Sequence, residues 1–377
     1  MQVLVVGGGM QGLCIAAALA REGHDVQLAE RETPGQRASW VAAGLLTPSS
    51  PWKYPQALVE LCFASEALFP GFVADLVEHT GIDTEYEVAG MLYPEGAGVR
   101  PEALAQETAR RRALGFDNRH LSRAELDALQ PGLAPAVSGA VWQPRSARVR
   151  PPRLMAALRR RVADLGVLVT NECEVTALLG SPASGVRGAL TASGQELPAD
   201  CVVLAAGAWS KPLAATLGLA VDVRPVRGQI LLLRGEPGLL GPTINNGEGY
   251  LVPRRDGRVL VGSTMEDVGF ADFSTPAAIA RLRAAANALF PACAQMEVET
   301  DWAGLRPGTP DRLPYIGPVP ELPGLVLATG HFRNGILLGP VTAAIVADLL
   351  GGRKPCADIR PYAPRPVDPE AVLVPAS

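Results

Sequence analysis

The 377-residue sequence predicts an α/β fold in which a domain built around a parallel sheet is interrupted by a β-rich second domain. Three observations predict it: a strand, glycine turn, helix and strand at the start; a second strand, glycine turn and helix near the end; and a strand-rich stretch between them. The length exceeds what one simple core holds, and an apolar fraction of 48% supplies material for two domains or one large discontinuous one.

The first unit reads Val3-Leu4-Val5-Val6, then Gly7-Gly8-Gly9-Met10-Gln11-Gly12, then Leu13, Ala17 and Ala20 at helical spacing, then Asp25 to Glu30. This is a Rossmann-like dinucleotide fingerprint. Gly7 permits the tight turn, Gly9 lets the backbone approach a pyrophosphate, Gly12 allows close helix-to-strand packing, and Glu30 accepts hydrogen bonds from ribose hydroxyls. Phosphates belong on the N–H groups that open the helix. The run Ala16 to Ala20 imitates a signal-peptide cleavage site but lacks a basic leader, and cleavage would destroy the fingerprint.

Next, Arg37 to Leu46 is a run of small residues that holds neither a strand nor a helix period, which suits a backbone lying against something flat. Helices are predicted over 57–80 and 101–129, strands near 86–93 and 139–142, and a helix opened by Pro151 that ends near Gly166. Short strands follow at 167–170 and 175–178, then the fully apolar strand that ends at Gly207. Strands are predicted at 227–233, 249–253 and 258–264, the last two joined at Asp256-Gly257. A helix over 275–290 leads to a strand toward Trp302. The strand 324–330, the turn 331–335 and a buried helix to Leu350 close the fold. This order assigns 1–85, 145–220 and 307–355 to the nucleotide domain and 86–144 and 221–306 to a substrate domain, with 356–377 a Pro-rich tail.

The formal net charge is −4, and the arginines at 110–112 and 159–161 read as solvated helix faces rather than a nucleic-acid stripe. Six cysteines lack any CxxC pair or paired-His spacing, which predicts reduced thiols in a cytoplasmic protein without a metal site. The apolar stretch 335–350 is short and carries Pro340 and Asp348, so no membrane span is expected.

Nucleotide signals at both ends narrow the cofactor. A nicotinamide enzyme usually spends only its first half on the nucleotide, whereas a flavin ring is gripped by distant segments, so FAD is expected. Arg306, in Trp302 to Thr309, and Arg333, in Gly330 to Gly335, stand in glycine-rich apolar settings that themselves hold no acid. Each is either a structural ion-pair partner or a planar fork for a carboxylate, and the setting favours the fork.

The opening fingerprint, Ser39 with Ala42 to Leu45, Tyr250 to Arg254 with Gly262 to Met265, and above all Trp302 to Thr309 with Gly330 to Pro340 resemble the D-amino-acid oxidase family of flavoproteins. Within it they are most similar to the glycine oxidases of thiamine biosynthesis. The resemblance covers about Met1 to Gly352. It implies a flavin domain and a substrate domain on a mixed, largely antiparallel sheet. It implies that Arg306 pairs with the substrate carboxylate, assisted by Tyr250 and Arg333, with Met265 lining a small pocket. It further implies FAD contacts from Met10, Gln11, Glu30, Arg31, Ala38, Ser39, Ala43, Gly44, Leu45 and Val175, and from His331, Phe332, Arg333, Asn334, Gly335, Ile336 and Leu337. Tyr250 and Met265 also suit core positions of neighbouring strands.

The chemistry agrees with these roles. A guanidinium fork orients the Cα hydrogen toward flavin N5, and desolvation beside it lowers the ammonium pKa, so no resident base is required. His24, His79 and His120 look peripheral, and His331 belongs to the flavin-binding turn. The helix starting near Gly335 is expected to aim its N-terminus at the flavin N1/C2 edge. Residues 50–54 and 244–249 are expected to shape the pocket entrance. No cysteine occurs over 301–340, so FAD is expected to be non-covalent. The implied activity is an oxidase of glycine, sarcosine or small D-amino acids. Its products are an imine, then a 2-oxo acid and ammonia, with O2 reduced to H2O2, and the resemblance implies a homotetramer. A D-amino-acid dehydrogenase with another acceptor and a non-catalytic flavoprotein subunit are the alternatives.

Overall fold

A computed structural model describes residues 1–47, 54–95, 101–247, 249–365 and 373. The expected entrance residues 50–53 and Glu248, and half of the Pro-rich tail, lie outside them. The chain opens with β1 (Gln2–Val6), α1 (Met10–Arg21) and β2 (Asp25–Ala29), then α2 (Ala38–Val41) and α3 (Gln56–Thr80). It continues through β3 (Glu87–Val88), β4 (Met91–Pro94), α4 (Pro101–Ala113), β5 (Arg119–Ser122), α5 (Arg123–Leu129), β6 (Gly139–Gln143) and β7 (Ala147–Arg148). The middle holds α6 (Pro151–Asp164), β8 (Leu168–Thr170), β9 (Val175–Ser181), β10 (Gly185–Thr191), β11 (Glu196–Pro198), β12 (Cys201–Leu204) and α7 (Ser210–Ala215). The last part holds β13 (Arg224–Arg234), β14 (Thr243–Asn245), β15 (Tyr250–Pro253), β16 (Arg258–Gly262), α8 (Pro276–Leu289), β17 (Glu297–Gly308), β18 (Tyr315–Pro318), β19 (Leu325–Thr329) and α9 (Gly339–Leu350).

The first sheet has the order β18-β19-β12-β1-β2-β8, parallel except for β18 on β19. Its central strands β1 and β12 are apolar throughout, apart from the exposed Gln2, because helices cover one face and the small sheet β11-β10-β9 lies toward the other. The second sheet, β17-β13-β16-β15-β14-β4-β6-β5, is antiparallel save for the parallel pair β14 and β4. Its long strands β13 and β17 pair from Arg224↔Gly308 to Arg234↔Glu297, and α8 packs against β13 and β16.

Two expectations need correction. The helix predicted over 101–129 is broken by β5, because Gly115 (φ +86) ends α4 and Ser122 forms a capping box with Glu125 that starts α5 afresh. The arginines at 110–112 are not all a solvated face. Arg111 is 1% exposed, stacks over Tyr93 at 3.5 Å and donates to Gln143.

The helix α3 is long and apolar enough to cross a membrane by length and composition. In the structure it packs against α6 and α9, and Leu58, Leu61, Cys62 and Phe69 join the core under the first sheet. That burial gives its apolar residues a use within the fold.

Candidate functional site

The β1–α1 turn is built as its sequence requires. Gly7 has φ +105, and a Cβ there would lie 2.6 Å from the Ala205 carbonyl oxygen of the adjoining strand end. Gly9 caps α1 without a side-chain hydrogen bond, while the Met10 N–H is held by Ser39 Oγ at 2.9 Å. Glu30, just past β2, accepts from Gly8 N–H at 2.6 Å and Glu32 N–H at 3.1 Å, which fixes its carboxylate beside the turn.

A single cavity of about 460 Å³ starts at this turn and runs to the second sheet. At the first end it is lined by Gly7, Gly9, Met10, Gln11, Glu30 and Arg31. Ala38, Ser39, Ala43, Gly44, Leu45 and Val175 form its flank. His331, Phe332, Arg333, Asn334, Gly335 and Ile336 come from the turn after β19. At the far end stand Tyr250 and Arg306. Gly12 lies behind the turn rather than on the wall, as its packing role demands. Leu337 is buried off the wall, its carbonyl accepting from Ser65 Oγ.

These residues fit a flavin dinucleotide. Gln11 Oε1 and Thr47 Oγ1 are buried on the cavity wall without a hydrogen-bond partner, an arrangement that a polar ligand would satisfy. Gln11 Nε2 is already engaged by the Gly335 carbonyl at 2.7 Å, so the amide is held with its oxygen available. Trp209, which carries the Arg31 guanidinium 3.8 Å above its ring, adds a flat surface that sequence reasoning missed.

The far end gathers positive charge. Arg306 Nη2 donates to Ser263 Oγ at 2.6 Å and Nη1 to the Thr264 carbonyl at 3.1 Å. Burial pushes the Arg306 pKa down and the neighbouring Arg333 guanidinium pushes it further, while hydrogen-bonded Tyr250 and the more distant Glu266 oppose this. Glu266 is itself engaged by Arg227 Nε at 2.6 Å and Gln229 Nε2 at 2.9 Å. A cation pair faced mainly by neutral oxygens is a site for a small anion. Gly228 makes the room, since a Cβ there would fall 2.1 Å from Arg306 Nη2. Ser263 lies within the segment Gly262 to Met265, but nothing in the sequence marks its hydroxyl as the support of this fork.

Met265 departs from expectation: it is 39% exposed and absent from the cavity wall. Its neighbours explain this. Thr264 Oγ1 accepts from Gln229 N–H, and Glu266 pairs backbone to backbone with Arg227, so alternation turns Met265 to the opposite side. The helix expected from Gly335 begins instead at Gly339. Residues Phe332 to Asn334 form a tight 3₁₀ turn, Phe332 takes φ +46, and Pro340, which suits a first helical turn, opens α9. The 3₁₀ turn, not the first turn of α9, therefore meets the cavity.

His331 Nε2 meets Thr342 Oγ1 at 3.0 Å, and burial pushes its pKa from 6.5 down to about 3. The folded imidazole is neutral, whereas the unfolded one takes a proton below 6.5. The associated stability is fully present above the unfolded value and is lost at about 1.4 kcal/mol per pH unit as pH falls toward the folded one. In His331→Gln this loss is absent, so the difference in thermal midpoint between wild type and variant should shrink steadily from about pH 6.5 to about pH 4. A difference independent of pH would overturn the assignment.

The FAD dependent oxidoreductase family profile matches residues 2–349. The chain is 40% identical over 365 residues to a protein of Pseudomonas aeruginosa named glycine oxidase, covering 96% of this chain and 98% of that one. The crystal structure of glycine oxidase from Geobacillus kaustophilus matches with a TM-score of 0.91 at 34% identity, covering 96% of this chain and 98% of that one. A bifunctional ThiO/ThiG protein of Synechocystis sp. is 36% identical over 375 residues, which cover 96% of this chain and 53% of that one. With the fingerprint, the cavity and these matches in agreement, the chain belongs to the FAD dependent oxidoreductase family, and its cofactor is FAD.

Proposed function

We propose that the protein oxidises glycine or a similarly small amino acid, giving the imine and, after hydrolysis, the 2-oxo acid and ammonia. The observation that carries this reading is the continuity of one cavity from the dinucleotide turn to Arg306. Its support from relatives is their name, glycine oxidase, at up to 40% identity over nearly the full chain.

Bound FAD would supply the two-electron acceptor for the substrate C–H bond, with O2 as the final acceptor and H2O2 as its product. The chain's own residues do the rest. Arg306 presents the N–H groups not taken by Ser263 and Thr264 to the substrate carboxylate, and Tyr250 and Arg333 complete the clamp. Holding the acid end converts binding energy into orientation of the Cα hydrogen. The same cations lower the pKa of the substrate ammonium, so its proton leaves to solvent before oxidation and no resident base is needed. His331, neutral and bonded to Thr342, takes no part in that transfer. The sequence resemblance implies a supply of imine for thiamine thiazole synthesis, and the likeness to a bifunctional ThiO/ThiG protein supports this reading.

The test is an anaerobic visible spectrum while glycine, sarcosine and D-alanine are added in turn. Glycine should bleach the flavin band, and readmitted air should restore it with formation of peroxide. Failure of all three to bleach it would overturn the proposal. Bleaching that air does not reverse would instead favour a dehydrogenase with another acceptor.

A further inference from the structure

The carboxylate clamp does not use every buried cation. Arg254, just past β15, is 8% exposed, and among the described residues no carboxylate forms an ion pair with it. Its guanidinium donates instead to two carbonyls, Nη1 to Val149 at 2.8 Å and Nη2 to Ala43 at 2.8 Å. Glu85 and Asp256 act on it only through their fields, both being bonded to Arg150. Burial, with Arg148 and Arg150 adding to it, pushes its pKa down to about 10, which leaves it charged at neutral pH. Burying such a cation is costly, and an apolar side chain of the same length would fill the space at less cost. The fork is therefore of use for where it puts its partners.

One of those partners, Ala43, lines the cavity beside Gly44, and the other, Val149, backs it. The Val149 N–H donates to the Gly44 carbonyl at 2.9 Å. Gly44 has φ +75, and a Cβ there would lie 2.2 Å from the Val149 oxygen. The run Ala43-Gly44, residue 149 and the β15–β16 hairpin are thus interlocked by three hydrogen bonds. On the hairpin side, Arg254 is fixed in turn by its N–H to the Arg258 carbonyl at 2.8 Å. Residues 250, 252 and 254 share one face of the strand by alternation, and Tyr250 and Val252 pack with Ala43 in one cluster.

We propose that Arg254 is a positioning residue: it holds the cofactor-facing run Ala43-Gly44 in register with the strand that carries Tyr250, and so sets the spacing between cofactor and carboxylate clamp. This rests on the reading of Arg306 and Tyr250 as that clamp. Neither segment touches the reacting carbon through Arg254. Its loss should therefore separate ligand binding from the rate of reaction.

The experiment uses the flavin-loaded enzyme, with acetate as a carboxylate that carries no amine to oxidise. In Arg254→Met, the acetate dissociation constant read from the flavin visible band should stay within about threefold of wild type, while anaerobic reduction by saturating glycine slows by about tenfold or more. Arg254→Lys, which keeps the charge and one carbonyl contact, should recover part of that rate. A flavin-loaded Arg254→Met reduced at the wild-type rate would overturn the proposal, as would acetate affinity and reduction rate falling in equal proportion. Should the Met variant fail to load flavin, Arg254→Lys carries the same two readings with the same outcomes. A wild-type enzyme that neither responds to acetate nor is reduced by glycine would instead sink the clamp itself, which keeps the two failures distinct.

Discussion

Arg306→Ala is expected to leave a folded, yellow protein whose affinity for glycine has fallen by about two to three orders of magnitude, the cost of stranding a buried charge without its partner. The folded state survives because, among the described residues, Arg306 forms no ion pair: its partners are a hydroxyl, a carbonyl and a phenol. Their loss costs hydrogen bonds, each worth about 1 kcal/mol. The glycine carboxylate has no such alternative, since Arg333 is exposed and alone does not present the same buried fork. The Michaelis constant for glycine, the flavin-to-protein absorbance ratio and the thermal midpoint measure the three consequences separately. A normal Michaelis constant would remove Arg306 from its role.

Gly12→Ala is expected to empty the protein of flavin. A Cβ on Gly12 would lie 1.8 Å from the Gly7 carbonyl oxygen, a backbone atom that no rotamer change can move aside. Helix α1 must then lift from β1, which disturbs the turn where the Met10 N–H and the Glu30 carboxylate are fixed. Overpacking of this kind costs about 1–3 kcal/mol when side chains can adjust, and a clash with backbone belongs at or above the upper figure. Flavin content after gel filtration and the thermal midpoint should fall together. Retention of stoichiometric flavin would show that the helix shifts without cost.

What the sequence made legible was what local chemistry determines. The β1–α1–β2 unit, the apolar strand β12, the Asp256-Gly257 hairpin, and α3, α6 and α8 lie where periodicity, glycine and proline put them. The site residues came from resemblance, with the glycine-rich settings of Arg306 and Arg333 as local support. The rest depended on partners far away in the chain. Met265 was misplaced because its direction is set by the pairing of Glu266 with Arg227, 39 residues earlier. The support of Arg306 by Ser263 and the double carbonyl contact of Arg254 are likewise long-range, and a serine or an arginine in a strand end gives no sign of either. Of the small sheet β11-β10-β9, only the first part of β9, 175–178, was legible, because Gly180 and Gly188 interrupt the alternation that marks a strand.

The order of the first sheet has a consequence for biosynthesis. Strand β1 lies between β2, a near neighbour in the chain, and β12, which begins only at Cys201, while β19 joins at Leu325. A polypeptide emerging from the ribosome therefore displays its glycine fingerprint long before the strand that shelters β1 has been made, and pairings across such distances form slowly. Until then the apolar edge of β1 is open to chaperones or to other nascent chains. Flavin capture becomes a late event in the life of the molecule, completed only when the turn at Phe332 to Asn334 has left the exit tunnel.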